Sequence, residues 1–316
     1  MIYTTLFGPV QSRRLGVSLG IDLVRHKVCS LNCVYCECGT TTDLTLERGN
    51  YADKATIIAE LTHYLANNPK PDFVTFGGSG EPTLNTAIGD VLAFIKRNNP
   101  DQKCALLTNS TLLDNPDVRK TLLDFDLVLP SLDAISEDVF RAVNRPSSAL
   151  KNSTIINGLL AFSRDYKGAL WLELFVVPGI NDTDEELALF KETITAINPT
   201  RVQLNSLDRP GACDWIKPAS PEKLAYIAHF LKPLPVEIIA RNAASLPTTG
   251  SISNSTESIT TVLSRRPLTL EEVAIHTRQT IRQAKDTLAQ LVALGLLETE
   301  EVAGRLFYRV KNDKIV

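Results

Sequence analysis

The sequence has no excess charge of one sign, no long apolar run and no set of well-separated cysteine pairs, and each absence excludes a class of protein. Lys and Arg number 33 against 36 Asp and Glu, a formal net charge of -3. The chain as a whole therefore creates no field that would draw it to nucleic acid or anionic lipid, and any such contact must be local. No stretch approaches the ~18 apolar residues of a membrane-spanning helix. The start, MIYTTLFGPVQSRRLG, lacks a basic leader followed by an apolar run, so the expectation is a cytoplasmic protein with no membrane partner. Low-complexity segments are missing too, and 44% hydrophobic with 22% charged residues suits a soluble globular chain rather than a disordered, collagen-like or coiled-coil one. Of the six cysteines, Cys29, Cys33, Cys36 and Cys38 crowd into ten positions while Cys104 and Cys213 stand alone, which is a poor disulfide framework. Clustered thiols in a reducing compartment point to metal.

What is present is an alternation. At 316 residues against the ~150 expected per domain, the chain reads as one large domain or a large one with an appendage. Strand-like runs at 16–24, 73–76, 105–108, 127–130, 170–177, 202–206 and 236–240 are separated by helix-period segments at 52–67, 87–97, 116–123, 153–164, 184–197 and 221–231, and that order predicts an α/β fold with a parallel sheet. Right-handed crossovers permit either a doubly wound open sheet or a full or partial barrel. In both, chemistry gathers just beyond the carboxyl ends of the strands. Composition then turns rich in Ser, Thr, Asn and Gly, so residues 246–257 read as a linker. They divide a domain at 1–245 from one at 258–316, where helix-turn-helix and a hairpin turning at Ala303 and Gly304 resemble a winged-helix domain.

Directly after the first strand, CSLNCVYC sets Cys29, Cys33 and Cys36 at C-x3-C-x2-C. Three thiolates from one loop can hold three irons of a 4Fe-4S cluster and leave the fourth iron open for chemistry. The alternative is zinc with Cys38 as a fourth ligand, although four-cysteine zinc sites usually join two separated knuckles. The spacing, with Tyr35 before the last cysteine, resembles the radical S-adenosylmethionine (SAM) superfamily. The resemblance implies a partial (β/α)6 barrel. It also implies S-adenosylmethionine on the open iron, an electron donor, and reductive cleavage to methionine and a 5′-deoxyadenosyl radical that abstracts hydrogen from substrate, chemistry that the cofactor carries while the protein aims it.

That resemblance assigns further residues. In FGGSGEPTL, Gly78, Gly80 and Glu81 fall on the Gly-Gly-Glu type segment that holds the SAM amino group through backbone carbonyls, with Ser79 interposed. Asn109, Ser131 and Asp133 lie where ribose or carboxylate partners sit; turn formation and helix capping are the competing reading for these residue types. Pro178 and Gly179 would present backbone to adenine, and Asn205 and Asp208 could face substrate or simply solvent. Tandem Arg13 and Arg14 could clamp a phosphate or carboxylate or lie at the surface, and His26 could tune the cluster or be structural.

The run GPV-x-SRRLG-x-SLGIDL leading into the cysteines is similar to the wyosine-synthase-like, tRNA-modifying group of that superfamily. No cysteine precedes Cys29, so the second cluster of the tRNA enzyme and its pyruvate chemistry are not implied. The C-terminal unit offers Arg278, Gln279, Arg282, Lys285, Arg305 and Arg309 as contacts for nucleic acid. From Thr256 onward, however, nine basic residues meet eight acidic ones, and winged helices also bind proteins. The leading expectation is a radical SAM enzyme acting on an RNA base such as one in tRNA. Alternatives are a radical SAM enzyme for a peptide or small metabolite, and an iron-sulfur or SAM-sensing winged-helix regulator that binds DNA.

Overall fold

Six parallel strands form the frame of the chain: β2 (Gly16–Ile21), β5 (Phe73–Phe76), β6 (Cys104–Thr108), β7 (Leu127–Pro130), β8 (Ala169–Phe175) and β9 (Arg201–Asn205). The computed structural model describes residues 3–12, 14–239, 259–260, 263, 266–277 and 279–311. Arg13, the expected linker 246–257 and Arg278 lie outside the described residues. A short seventh parallel strand, β10 (Val236–Ile238), flanks β9, and β1 (Leu6–Ser12) adds an antiparallel edge on β2. Strands β5 to β7 read FVTF, CALLT and LVLP, the nearly unbroken apolar runs of strands covered on both faces.

The sheet curls. On a flat sheet β2 and β8 would lie ~19 Å apart, four steps of about 4.8 Å. Arg14, at the β1–β2 turn, nevertheless pairs with Glu173 of β8 and donates to Gln203 of β9 at 3.2 Å. Such closure of an arginine onto distant strands requires a partial barrel whose interior is polar. The tandem-arginine reading is thereby corrected for Arg14: it faces inward and is bound by a carboxylate, not held out to solvent.

Helices α1 (Lys54–Asn67), α2 (Ile88–Asn98), α3 (Pro116–Leu122), α4 (Glu137–Asn144), α5 (Asn152–Asp165), α6 (Asp184–Ile197) and α7 (Pro221–Phe230) follow the sheet. Side chains of Asp53, Asn115, Thr183 and Ser220 accept from backbone N–H groups of the first turns of α1, α3, α6 and α7, so local capping starts these helices where the sequence changes pattern. Their apolar faces, with Ile57, Leu61, Ile88, Val91, Ile95, Phe162 and Phe190, pack on the strands as one core. Glu60, 1% exposed, holds the amino-terminal segment: its carboxylate accepts from the N–H and hydroxyl of Thr4, the N–H and hydroxyl of Thr5, and the Leu6 N–H.

The C-terminal unit consists of helices Leu270–Thr277 and Ile281–Ala293 and an antiparallel hairpin, β11 (Leu297–Val302) with β12 (Arg305–Val310). The hairpin turns at Ala303 and Gly304, both with positive φ, as read from the sequence. Thr280 and Gln283 close a capping box on the second helix. The unit has its own apolar core of Leu268, Val273, Ala284, Leu288 and Leu297, but Phe307 does not belong to it. That ring is fully buried among Val34, Val143, Phe175, Val177, Leu207 and Ile216. The hairpin is therefore docked over the carboxyl end of the barrel.

Candidate active site

Cys29 closes the two-residue strand Val28–Cys29, and the following loop is pinned from two sides. The Asn32 and Val34 N–H groups donate to the carbonyls of Asn144 and Val143 at the end of α4, and the Glu81 N–H donates to the Val28 carbonyl. Gly80 is required by this second contact, since a Cβ there would stand 1.9 Å from the Val28 oxygen. The Gly-rich segment is thus pressed against the cysteine strand, which a glycine at this point permits.

Every cysteine of the C-x3-C-x2-C run has a side-chain nitrogen beside its sulfur. Asn109 Nδ2 lies 3.5 Å from Cys29 Sγ, Asn144 Nδ2 lies 3.4 Å from Cys33 Sγ, and Lys27 Nζ lies 2.9 Å from Cys36 Sγ. Such donors suit sulfur that is negatively charged, as in a thiolate ligand. Burial pushes the Cys29 thiol up to about 11 and raises Cys33 further. Cys36 goes the other way, well below the usual thiol value, because the Cys38 thiol donates to it and Lys27 adds a positive charge. Among the described residues no group of three or more His, Cys, Asp or Glu side chains is placed to hold a single metal ion. Three cysteines of one loop, each able to hold a separate iron, suit the donor set of a cluster. Cys38 Sγ lies 3.7 Å from the Gly78 carbonyl.

Asn109, Ser131, Asp133 and Asn144 line one cleft beside Leu31, so the structure brings Asn109, read after one strand, together with Ser131 and Asp133, read after the next, and adds Asn144 from α4. Their polar atoms are largely used within the protein. The Asp133 carboxylate accepts from the Tyr35 hydroxyl at 2.5 Å, Asn144 Nδ2 at 2.9 Å and the Phe175 N–H at 2.9 Å. Burial pushes its carboxyl up to about 6, with those three hydrogen bonds opposing. Tyr35 is further fixed by stacking on Phe175, ring centroids 3.8 Å apart. Glu81 is likewise inside: it accepts from Thr83 N–H and hydroxyl, the Thr108 hydroxyl and the Asn109 N–H. Glu81 and Asp133 thus brace the loops around the site. Asn109 makes the turn that was the competing reading for it, its oxygen taking the Thr111 N–H and hydroxyl, while its nitrogen faces Cys29 and Ser30. Ser131 is half-buried, its N–H bonded to Thr108 O.

Gly179 has φ +81 and its N–H donates to Asp182, so Pro178 and Gly179 form a loop turn after β8. Asn205 is buried at the end of β9, its carbonyl taking the Val176 N–H. His26 Nε2 meets the Cys38 carbonyl at 3.2 Å; the residue facing a cysteine sulfur is its neighbour Lys27. Sequence reasoning missed Lys27, Asn144 and Phe175, and only Lys27, two residues before Cys29 in RHKVC, carried a local signal.

The C-terminal unit meets this site through charge. Arg209, 5% exposed, donates to both oxygens of Glu272 at 2.7 and 2.5 Å and to the Pro267 carbonyl at 2.8 Å, and lies 3.6 Å from Glu37 of the cysteine loop. Arg305 pairs with Asp208 at 3.8 Å, which places Asp208 against the hairpin. Arg309 pairs with Glu298, Glu300 and Asp214. The two hairpin arginines expected to reach phosphate or bases are thus bound within the chain. Arg282 and Lys285 remain exposed on helix Ile281–Ala293.

The family model of the radical SAM superfamily matches residues 23–190. UPF0026 protein MJ1312 of Methanocaldococcus jannaschii is 34% identical over 98% of this chain and 97% of its own length. A protein of Brachyspira hyodysenteriae named GTPase Obg is 35% identical over 96% of this chain, which spans only 45% of that protein; no G-x4-G-K-[ST] phosphate loop occurs in the present sequence. Among solved structures, a radical SAM methyltransferase from Sphaerobacter thermophilus aligns with TM-score 0.52 at 15% identity, covering 70% of this chain and 66% of that one. Streptococcus suis SuiB bound to S-adenosylmethionine aligns with TM-score 0.52 at 13% identity, covering 67% and 48%. At such identities the two structures speak to the fold.

Proposed function

We propose that this chain, which belongs to the radical SAM superfamily and to the UPF0026 proteins, reductively cleaves S-adenosylmethionine and uses the resulting radical on a substrate admitted at the carboxyl end of its barrel. The observation that carries the reading is the placement of Cys29, Cys33 and Cys36 in one loop, each beside a side-chain nitrogen and against the Gly78–Glu81 segment. Those three cysteines would hold a 4Fe-4S cluster, with its open iron supplying the electron and the binding position for S-adenosylmethionine. This chain's own part is to orient and to exclude water. Gly80 lets the segment around Gly78 approach the cysteine strand, while Asn109, Ser131 and Asp133 shape the cleft beside it and Tyr35 holds Asp133 in place.

For the substrate we favour an RNA base, on the wyosine-synthase-like pattern of residues 8–23 and a C-terminal unit with winged-helix order carrying exposed Arg282 and Lys285. The engagement of Arg305 and Arg309 in internal ion pairs favours a second reading, a peptide or small metabolite that does not need them. A cytoplasmic setting and an external one-electron donor go with either.

The test is anaerobic reconstitution with iron and sulfide, then reduction in the presence of S-adenosylmethionine, with 5′-deoxyadenosine measured against a Cys33→Ala control. Cluster-dependent 5′-deoxyadenosine, raised on adding tRNA, is expected. An intact cluster that yields none under strong reductant refutes the reading.

A further inference from the structure

We propose that Lys27 supplies the fixed positive charge that sets the reduction potential of the cluster on Cys29, Cys33 and Cys36, an inference that rests on those three cysteines being its ligands. Lys27 is 2% exposed. Its Nζ donates to Cys36 Sγ at 2.9 Å and to the Gly39 carbonyl at 2.6 Å. An ammonium without an anionic partner is expensive to bury, and the side chain that this Nζ meets is the sulfur of Cys36 rather than a carboxylate. The site is built for anionic sulfur.

The three ligands are not treated alike. Cys29 and Cys33 each face a neutral amide nitrogen, of Asn109 and Asn144, at 3.5 and 3.4 Å. Cys36 alone faces a full charge at 2.9 Å. A 4Fe-4S core with three thiolates carries one negative charge when oxidised and two after it accepts one electron from an external one-electron donor; no bond is made or broken in that step. A buried cation beside one sulfur stabilises the doubly negative state more than the singly negative one, and the low dielectric around it enlarges the difference. Because the charge is fixed, no proton need accompany the electron.

The experiment uses the full chain with Lys27→Met, Lys27→Arg and Cys33→Ala, each reconstituted anaerobically. Iron and sulfide per chain are assayed, and the reduced fraction is read by electron paramagnetic resonance at potentials poised with redox mediators. Lys27→Met should keep its iron and show, at a fixed poise, a reduced-to-oxidised ratio at least tenfold lower, a downward shift of about 59 mV or more for one electron. Lys27→Arg should stay within threefold of the parent. An unchanged ratio in Lys27→Met overturns the proposal, as does loss of iron in that variant alone, which would make Lys27 a fold element of the loop. If Cys33→Ala keeps the parent's iron and spectrum, the ligand assignment itself fails, whatever Lys27 does.

Discussion

Removing the Phe307 ring should undock the C-terminal hairpin from the barrel without unfolding either. The ring is fully buried, and its neighbours Val34, Phe175, Val177, Leu207 and Ile216 belong to the barrel's carboxyl end, while the C-terminal unit's own core does without it. Truncating a buried phenylalanine to alanine costs ~3–5 kcal/mol. At about 1.36 kcal/mol per factor of ten, even the lower figure moves the docked equilibrium by ~100-fold. Arg209 and Glu272 still hold the unit at its other contact, so the hairpin should open more than the helices. Hydrogen exchange read by mass spectrometry on Phe307→Ala should show protection falling together in peptides covering 297–310, 33–38 and 205–216. The Cys213 N–H, which donates to the Val34 carbonyl, lies in the same patch, while the peptide covering 281–293 should keep its protection. Loss confined to 297–310, with 33–38 and 205–216 unchanged, would refute the idea that this ring seals the site.

Glu272→Gln should take from the buried Arg209 guanidinium its closest carboxylate, leaving the Pro267 carbonyl and the more distant Glu37, and breaking such a pair costs up to ~3–5 kcal/mol; a lowered thermal midpoint, with Arg209→Met recovering part of the loss in the double variant, checks it. Gly80→Ala must displace the Val28 carbonyl, which would lie 1.9 Å from the new Cβ, so iron bound per chain should fall sharply in reconstitution while the parent loads fully. In Glu60, burial pushes the carboxyl up, but hydrogen bonds from Thr5 and Thr4 outweigh it and leave it below the ordinary carboxylate range. Its contribution to stability is therefore complete above the ordinary glutamate pKa and is lost as pH falls through the lowered folded value. Glu60→Gln should be less stable than the parent in denaturant titrations at pH 7, and the gap should narrow as pH falls below the ordinary glutamate value; a gap that does not change with pH would mean that charge is not what Glu60 contributes.

The parallel frame was legible because both-face burial writes itself as apolar runs: FVTF and LVLP are strands at the positions read from sequence, and α6 spans the predicted 184–197. Besides the two-residue strands Val28–Cys29 and Asp43–Leu44 and the short 3-10 turn Pro82–Leu84, two longer elements were not read. Strand β1 alternates poorly and owes its place to pairing with β2 across a bulge near Phe7 and Val10. Helix α4 (Glu137–Asn144) was passed over between the strand at 127–130 and the segment at 153–164. In the site, Cys29, Cys33 and Cys36 drew notice by their spacing, because residues on one loop are close in sequence, and the structure sets each beside a side-chain nitrogen. Asn144 was not, since it reaches Cys33 from α4, 111 positions away, and nothing in AVNRP marks it. Glu81 and Asp133 were found as positions, but their work as internal braces depends on donors from four other segments, which no local pattern records.

The docking of the C-terminal unit constrains what it can bind. Arg305 and Arg309 would have to exchange Asp208, Glu298 and Glu300 for phosphate, giving up attractions already made, so the hairpin gains little by meeting nucleic acid in the docked state. Arg282 and Lys285 are free of that competition, being exposed on helix Ile281–Ala293, away from the hairpin's ion pairs. A polyanionic substrate would therefore engage the helix first and the hairpin only after undocking, and undocking removes Phe307 from above Phe175, on which Tyr35 stacks. A small or neutral substrate has no such lever on the hairpin. Macromolecular substrates, and not small ones, should accordingly couple binding at the C-terminal unit to access at the cysteine loop, through Arg209 and its contact with Glu37 between Cys36 and Cys38.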